Sequence, residues 1–109
     1  MNVPVALHVA TDREGYLENL DDWSEAVASQ LAQAEGLSLT DEHWALINLI
    51  RAFYAKFAVS PAMRVLVKQV REHLGEERAN SIYLLGLFPG SPAKLLAKIA
   101  GLPRPTNCL

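Results

Sequence analysis

The sequence predicts an α+β fold that is predominantly helical. A small N-terminal β-hairpin or meander packs on an array of about five helices, and an extended, proline-containing C-terminal arm follows. Three observations predict it. Apolar residues recur every three to four positions through most of the chain. The first stretch, "VPVALHVATDREGYL", instead alternates loosely and carries a turn signal. After Gly101, two prolines at alternate positions end any helical pattern.

The N-terminal stretch comes first. The turn signal at residues 12–15 joins expected strands at residues 5–9 and 16–17. "DDWSEAVASQLAQAEG" then reads as a helix, with Asp22 or Ser24 as cap, Gly36 as stop, and Trp23, Val27 and Leu31 facing inward. "SLTDEHWALINLIRAFYAKF" gives the strongest helical pattern. Thr40 caps it, and Asp41 and Glu42 sit in its electropositive first turn. Trp44, Ile47, Ile50, Tyr54 and Phe57 form its stripe, widened by Leu46, Leu49 and Phe53, so this helix is expected at the centre.

"AVSPAMRVLVKQVREHLG" follows, with Ser60 as cap, Pro61 at the first helical position and Gly75 as stop. Met63, Leu66, Val70 and Leu74 are its inward positions. "EERANSIYLLGLFPG" reads as a shorter helix, and "SPAKLLAKIAG" repeats the Ser-Pro start and stops at Gly101. The whole is expected to be one domain, with a folded body over residues 1–101 and a flexible arm over residues 102–109.

Composition narrows the class. Of 109 residues, 50% are hydrophobic and 20% charged, which is the balance of a globular chain. Net charge is −2, so the chain as a whole gives no support to general nucleic-acid binding. The N-terminus lacks the basic start and the apolar length of a signal peptide, and no run is long enough to span a membrane. One cysteine allows no internal disulfide, and a lone thiol suits a reducing compartment, so a cytoplasmic location is expected.

The candidate chemistry is concentrated in few residues. His8, His43 and His73 stand apart with no metal-ligand spacing, and read as ordinary histidines. Asp12, Glu14, Asp21 and Asp22 flank a turn and a helix start, which is the pattern of caps and a solvated face. Arg64, Lys68 and Arg71, at i, i+4 and i+7, place three positive charges opposite an apolar stripe. With the preceding helix they give a helix-turn-helix outline. A solvated face, a docking face for a partner protein or RNA, and sequence-specific DNA binding all remain open for it, and net acidity weighs against DNA.

The remaining feature is Cys108, next to last in the chain. It is the only thiol, and its approach is stiffened by Pro103 and Pro105. At ~3.1 Å per residue, the stretch from Leu102 to Cys108 reaches roughly 19 Å. That suits a thiol that must enter another protein's active site. Lys94, Lys98 and Arg104 favour the thiolate if they lie close, and the terminal carboxylate of Leu109 opposes it.

"GYLENLDDW", "LSLTDEHWALINLIRAFY", "SPAMRVLVKQV" and "LFPGSPAKLLAKIAGLPRPTNCL" together resemble the DsrC/TusE family, nearly end to end from Gly15 to Leu109. The most specific part is "KIAGLPRPTNC". The resemblance implies a fold of a small meander on helices, and a sulfur carrier with no metal or organic cofactor. It also implies a division. DsrC proper carries a second cysteine eleven residues before the last, and that position here is Ala97. The resemblance therefore points to the TusE branch. There, Cys108 would accept sulfane sulfur as a persulfide from a TusBCD-like donor complex. It would pass that sulfur to an MnmA-like thiolase, with or without bound tRNA, that makes 2-thiouridine at the wobble position. Arg64, Lys68, Arg71, Lys94, Lys98 and Arg104 are the candidate partner-binding residues. The alternative is a DsrC-like sulfur-trafficking or DNA-binding regulatory protein of sulfur metabolism.

Overall fold

The computed structural model describes residues 9–106. Five α-helices form the body: α1 (Glu25–Ala34), α2 (Asp41–Phe57), α3 (Met63–Leu74), α4 (Ser81–Leu87) and α5 (Pro92–Ile99). Short 3-10 turns at Leu20–Asp22 and Glu76–Arg78 precede α1 and α4.

The expected N-terminal β-hairpin is not found among the described residues. Residues 5–8 lie outside the described residues, and among the described residues there is no strand. One isolated antiparallel bridge, Thr11 to Leu17, closes the turn. Asp12 explains why the turn stands without a sheet. Its carboxylate accepts from the N–H groups of Glu14 and Tyr16 at 2.9 and 3.0 Å, and its own N–H donates to the Tyr16 carbonyl at 2.7 Å. Among the described residues, this turn seats Tyr16 and Leu17 in the core.

Local sequence sets the helix ends. Ser24 caps α1 by accepting from Val27 N–H at 3.2 Å, and Gly36 follows it at φ 79°. Thr40 caps α2 in a capping box whose second member is His43. The His43 ring accepts from Thr40 N–H through Nδ1 at 3.1 Å, so Nε2 carries the proton and donates to the Leu87 carbonyl at 2.9 Å. The same ring meets Phe88 edge-on at 5.1 Å. One buried histidine thus ties the start of α2 to the end of α4.

The hub is α5, not α2 as the length of its apolar stripe suggests. α5 packs against each of the other four helices. Its small residues permit this, since Ala93 and Ala97 let neighbouring backbones approach closely while Leu96 and Ile99 fill the space between. In α2, Leu46, Ile47 and Ile50 are buried, but the stripe runs out before the last turn, and Phe57 is 52% exposed. In α3, Leu66 and Val70 are buried, and Met63, Val67 and Leu74 pack partly against the core.

His43→Ala should destabilise the fold by about 2 kcal/mol, because it removes the ring's bonds to Thr40 and Leu87 and the contact with Phe88. Thr40→Ala should cost about 1 kcal/mol, since it removes the cap and the hydroxyl's bond to the His43 ring but leaves the ring's bond to Leu87. Urea unfolding of both variants measures the difference. Equal losses would show that the α2–α4 tie contributes nothing.

Candidate functional site

The segment that leads to Cys108 starts at the C-terminus of α5, where four carbonyls have no partner within the helix. All four are satisfied. Leu102 N–H donates to the Ala97 carbonyl at 2.9 Å, and Gly101 N–H to that of Lys98 at 3.1 Å. This is a Schellman turn, with Gly101 in the left-handed region at φ 73°. Trp23 Nε1–H donates to the Ile99 carbonyl at 3.0 Å. Arg51 Nη1–H donates to the Ala100 carbonyl at 2.7 Å.

Arg51 and Trp23 form a unit. The guanidinium lies over the indole, 3.7 Å from its centroid. Burial lowers the proton affinity of Arg51, yet a guanidinium keeps its charge at physiological pH. Its cation stands at the negative end of the α5 dipole, the favourable place for it. Trp23 also lies against Gly101 so closely that a Cβ there would come within 2.2 Å of the indole Cδ1. Glycine is required at 101 on two counts, its positive φ and the space.

Beyond Gly101 the chain stays on the body as far as Pro105. Leu102 and Pro105 are buried, while Pro103 and Arg104 are exposed. Ser60 Oγ–H donates to the Pro103 carbonyl at 2.5 Å. This corrects the role expected of Ser60. α3 starts at Met63 with Ala62 as its cap, which makes no side-chain bond, and Ser60 holds the arm instead. Cys108 itself, with Asn107 and Leu109, lies outside the described residues.

The six candidate docking cations fall into two groups. Lys94, Lys98 and Arg104 line one cleft of about 260 Å³ at the arm root, together with Glu14, Tyr16 and Glu35. Lys98 pairs with Glu35 at 3.2 Å, and Arg104 with Glu14 at 3.5 Å. Two of the three charges expected to favour a thiolate are therefore answered locally. Tyr16 O–H donates to the Lys94 carbonyl at 3.2 Å and joins the N-terminal turn to α5. Arg64, Lys68 and Arg71 are exposed on α3, and Arg71 pairs with Glu76 at 2.9 Å. His43 is committed to its cap, and His73 is exposed on α3.

Comparison with known proteins decides the family. The family model described as "DsrC like protein" matches residues 6–109. This chain belongs to the DsrC-like family. It is 52% identical over 101 residues to Sulfurtransferase TusE of Sodalis glossinidius, covering 93% of this chain and 94% of that one. Sulfurtransferase TusE of Buchnera aphidicola is 48% identical over 101 residues, covering 93% and 89%. Among solved structures, DsrC of Allochromatium vinosum superposes with a TM-score of 0.84 at 50% identity, covering 93% of this chain and 90% of that chain. The oxidised DsrC γ-subunit of dissimilatory sulfite reductase from Archaeoglobus fulgidus gives 0.81 at 37% identity, covering 93% and 92%. The DsrC-like fold here is thus a five-helix body with α5 at its centre.

Sequence reading did not find the anchor of the arm. Arg51 lies within an apolar helix, and Trp23 reads as the first member of the α1 stripe. The available signal was a cation in the middle of the strongest apolar pattern of the chain.

Gly101→Ala should destabilise the fold by about 2–4 kcal/mol and displace the indole of Trp23. Arg51→Met should cost less, about 1–2 kcal/mol, since Trp23 can still pack on the thioether while the Ala100 carbonyl loses its donor. Urea unfolding followed by tryptophan fluorescence reads both effects. A Gly101→Ala variant with parental stability and emission would refute the fit between Trp23 and the α5 terminus.

Proposed function

We propose that the chain is a sulfurtransferase that carries sulfane sulfur on Cys108 within a relay for tRNA thiolation. The observation that carries this reading is the joining of two features. The chain's only cysteine lies three residues beyond Pro105, and the body holds the chain by hydrogen bonds to the Ala100 and Pro103 carbonyls and buries Pro105. The name Sulfurtransferase TusE, borne by relatives about half identical over nearly the whole length, supports it. The chain works as one domain: a helical body that docks, and a short terminal segment that delivers.

The chemistry is persulfide exchange. The Cys108 thiolate attacks the outer sulfur of a donor persulfide, R–S–SH. The donor S–S bond breaks, R–S⁻ leaves, and Cys108–S–SH forms. An acceptor thiolate then attacks the terminal sulfur, and the Cys108 thiolate is released. Each step moves one sulfane sulfur with no net oxidation, and only the thiolate is a competent nucleophile. The proposed donor is a TusBCD-like complex, and the proposed acceptor an MnmA-like thiolase that acts on tRNA.

A second reading, a DsrC-type role in sulfur trafficking, is favoured by the 50% identity to Allochromatium vinosum DsrC. Ala97 weighs against it. In this chain the position is a fully buried methyl on the inner side of α5. A disulfide or trisulfide within one chain needs a second cysteine, and the sequence contains none.

Cys108→Ser should leave the thermal melt unchanged and abolish transfer. Intact mass spectrometry after incubation with a cysteine desulfurase relay should show one added sulfur on the parent and none on the variant. Normal 2-thiouridine content in cells that hold only the variant would sink the carrier reading.

A further inference from the structure

We infer that the groove between α2 and α3 is a docking surface for an acidic, amphipathic helix on a protein partner. The apolar half of the argument is exposure. Phe57 ends α2 at 52% exposed, Val59 in the link is 56% exposed, and Val65 on α3 is 37% exposed. Phe57 and Val59 flank a tight connection in which Ala58 takes φ 58°, the single non-glycine residue at positive φ among the described residues, and Val65 lies in the first turn of α3 beyond it. The Phe53 and Phe57 rings lie 4.7 Å apart and extend the patch along α2. A groove of about 370 Å³ runs between the helices, with Leu49, Phe53 and Phe57 on one wall and Gln69 and His73 on the other. It meets, at Glu72, a larger concavity of about 720 Å³ along α3. An apolar floor between two helices is the shape that receives one face of a third helix.

The other half is charge. Lys56 stands 5.3 Å from the Phe57 ring, and Arg64 and Lys68 flank Val65 on the outer face of α3. These three cations make no ion pair among the described residues. At the arm root, by contrast, Lys98 and Arg104 already face Glu35 and Glu14. In a chain of net charge −2, uncompensated positive charge is thus gathered around exposed apolar side chains. A cation with no existing partner gives up nothing to pair with a docking carboxylate, whereas Lys98 and Arg104 must break a pair first. Glu72 sits where groove and concavity meet, so the partner's carboxylates belong toward the Arg64 and Lys68 end. The patch also selects the class of partner. A phosphate backbone gains from the cations but nothing from covering Phe57, Val59 and Val65, while a helix with apolar and acidic faces uses both.

The identity of the partner rests on the carrier reading, so the test keeps the two apart. Calorimetric titration of the chain into a TusBCD-type donor complex, and separately into an MnmA-type thiolase without tRNA, measures docking with no sulfur chemistry involved. The double variant Arg64→Glu, Lys68→Glu and, separately, Phe57→Ser should each weaken one of these complexes by about tenfold or more. Arg104→Gln at the arm root, where the charge already faces Glu14, should weaken either by no more than about threefold. Circular dichroism confirms that each variant is folded. Parental affinity in both groove variants overturns the proposal, as does binding of the parent to neither partner. An effect that appears only when tRNA is added overturns it in favour of an RNA surface. Loading of parental Cys108 by inorganic polysulfide, read by intact mass, tests the carrier chemistry alone.

Discussion

The structure depends on the need to bury the end of α5 without leaving its carbonyls bare. A buried carbonyl without a donor costs as much as a lost hydrogen bond, and often more. α5 is packed on four sides, and four carbonyls emerge at its C-terminus inside the protein. Two are closed by the chain's own turn at Gly101, and two by side chains brought from residues 23 and 51. The start of α1, the middle of α2 and the exit of the arm are thereby fixed by one set of bonds. The stacking of Arg51 on Trp23 makes that set cooperative, since the guanidinium that donates to Ala100 also holds the indole that donates to Ile99.

What the sequence made legible follows from the range of the forces involved. Helices are announced by residues a few positions apart, and these read correctly. Ser24, Thr40 and Gly75 mark ends where the caps are found, and Pro92 stands in the first turn of α5. Features that depend on distant residues did not read. Ser60 has the form of a cap, but its hydroxyl is used forty-three residues away at Pro103. The alternation before Leu17 has the form of a strand, but among the described residues it yields one isolated bridge, Thr11 to Leu17, beside a turn held by the Asp12 carboxylate. The long stripe of α2 suggested the central helix, whereas close packing rewards the small side chains of α5.

The candidate site divides in the same way. Cys108 stands out in the sequence by uniqueness and position alone. The six basic residues were legible as cations, but the sequence could not say which already had partners. The structure separates them by their carboxylate neighbours. Lys98 and Arg104 are committed to Glu35 and Glu14 and help to close the body around the arm root. Arg64 and Lys68 face solvent beside exposed apolar groups. Charge of the same sign therefore does two jobs in one small domain, internal closure at one end and an open face at the other.

The place of α5 in the chain has a consequence for how the protein is made. The ribosome releases α1 to α4 before the helix that all of them pack against. Until Leu96, Ile99 and Leu102 emerge, Leu46, Leu66 and Leu84 lack a common surface to bury against, and Arg51 and Trp23 have no carbonyls to hold. Folding of the body is thus postponed until α5 has emerged, and only a few further residues separate its completion from the cysteine. A copy interrupted earlier would have neither the thiol nor the helix that closes the core. It would be recognised by proteases as unfolded before it could occupy a partner without cargo.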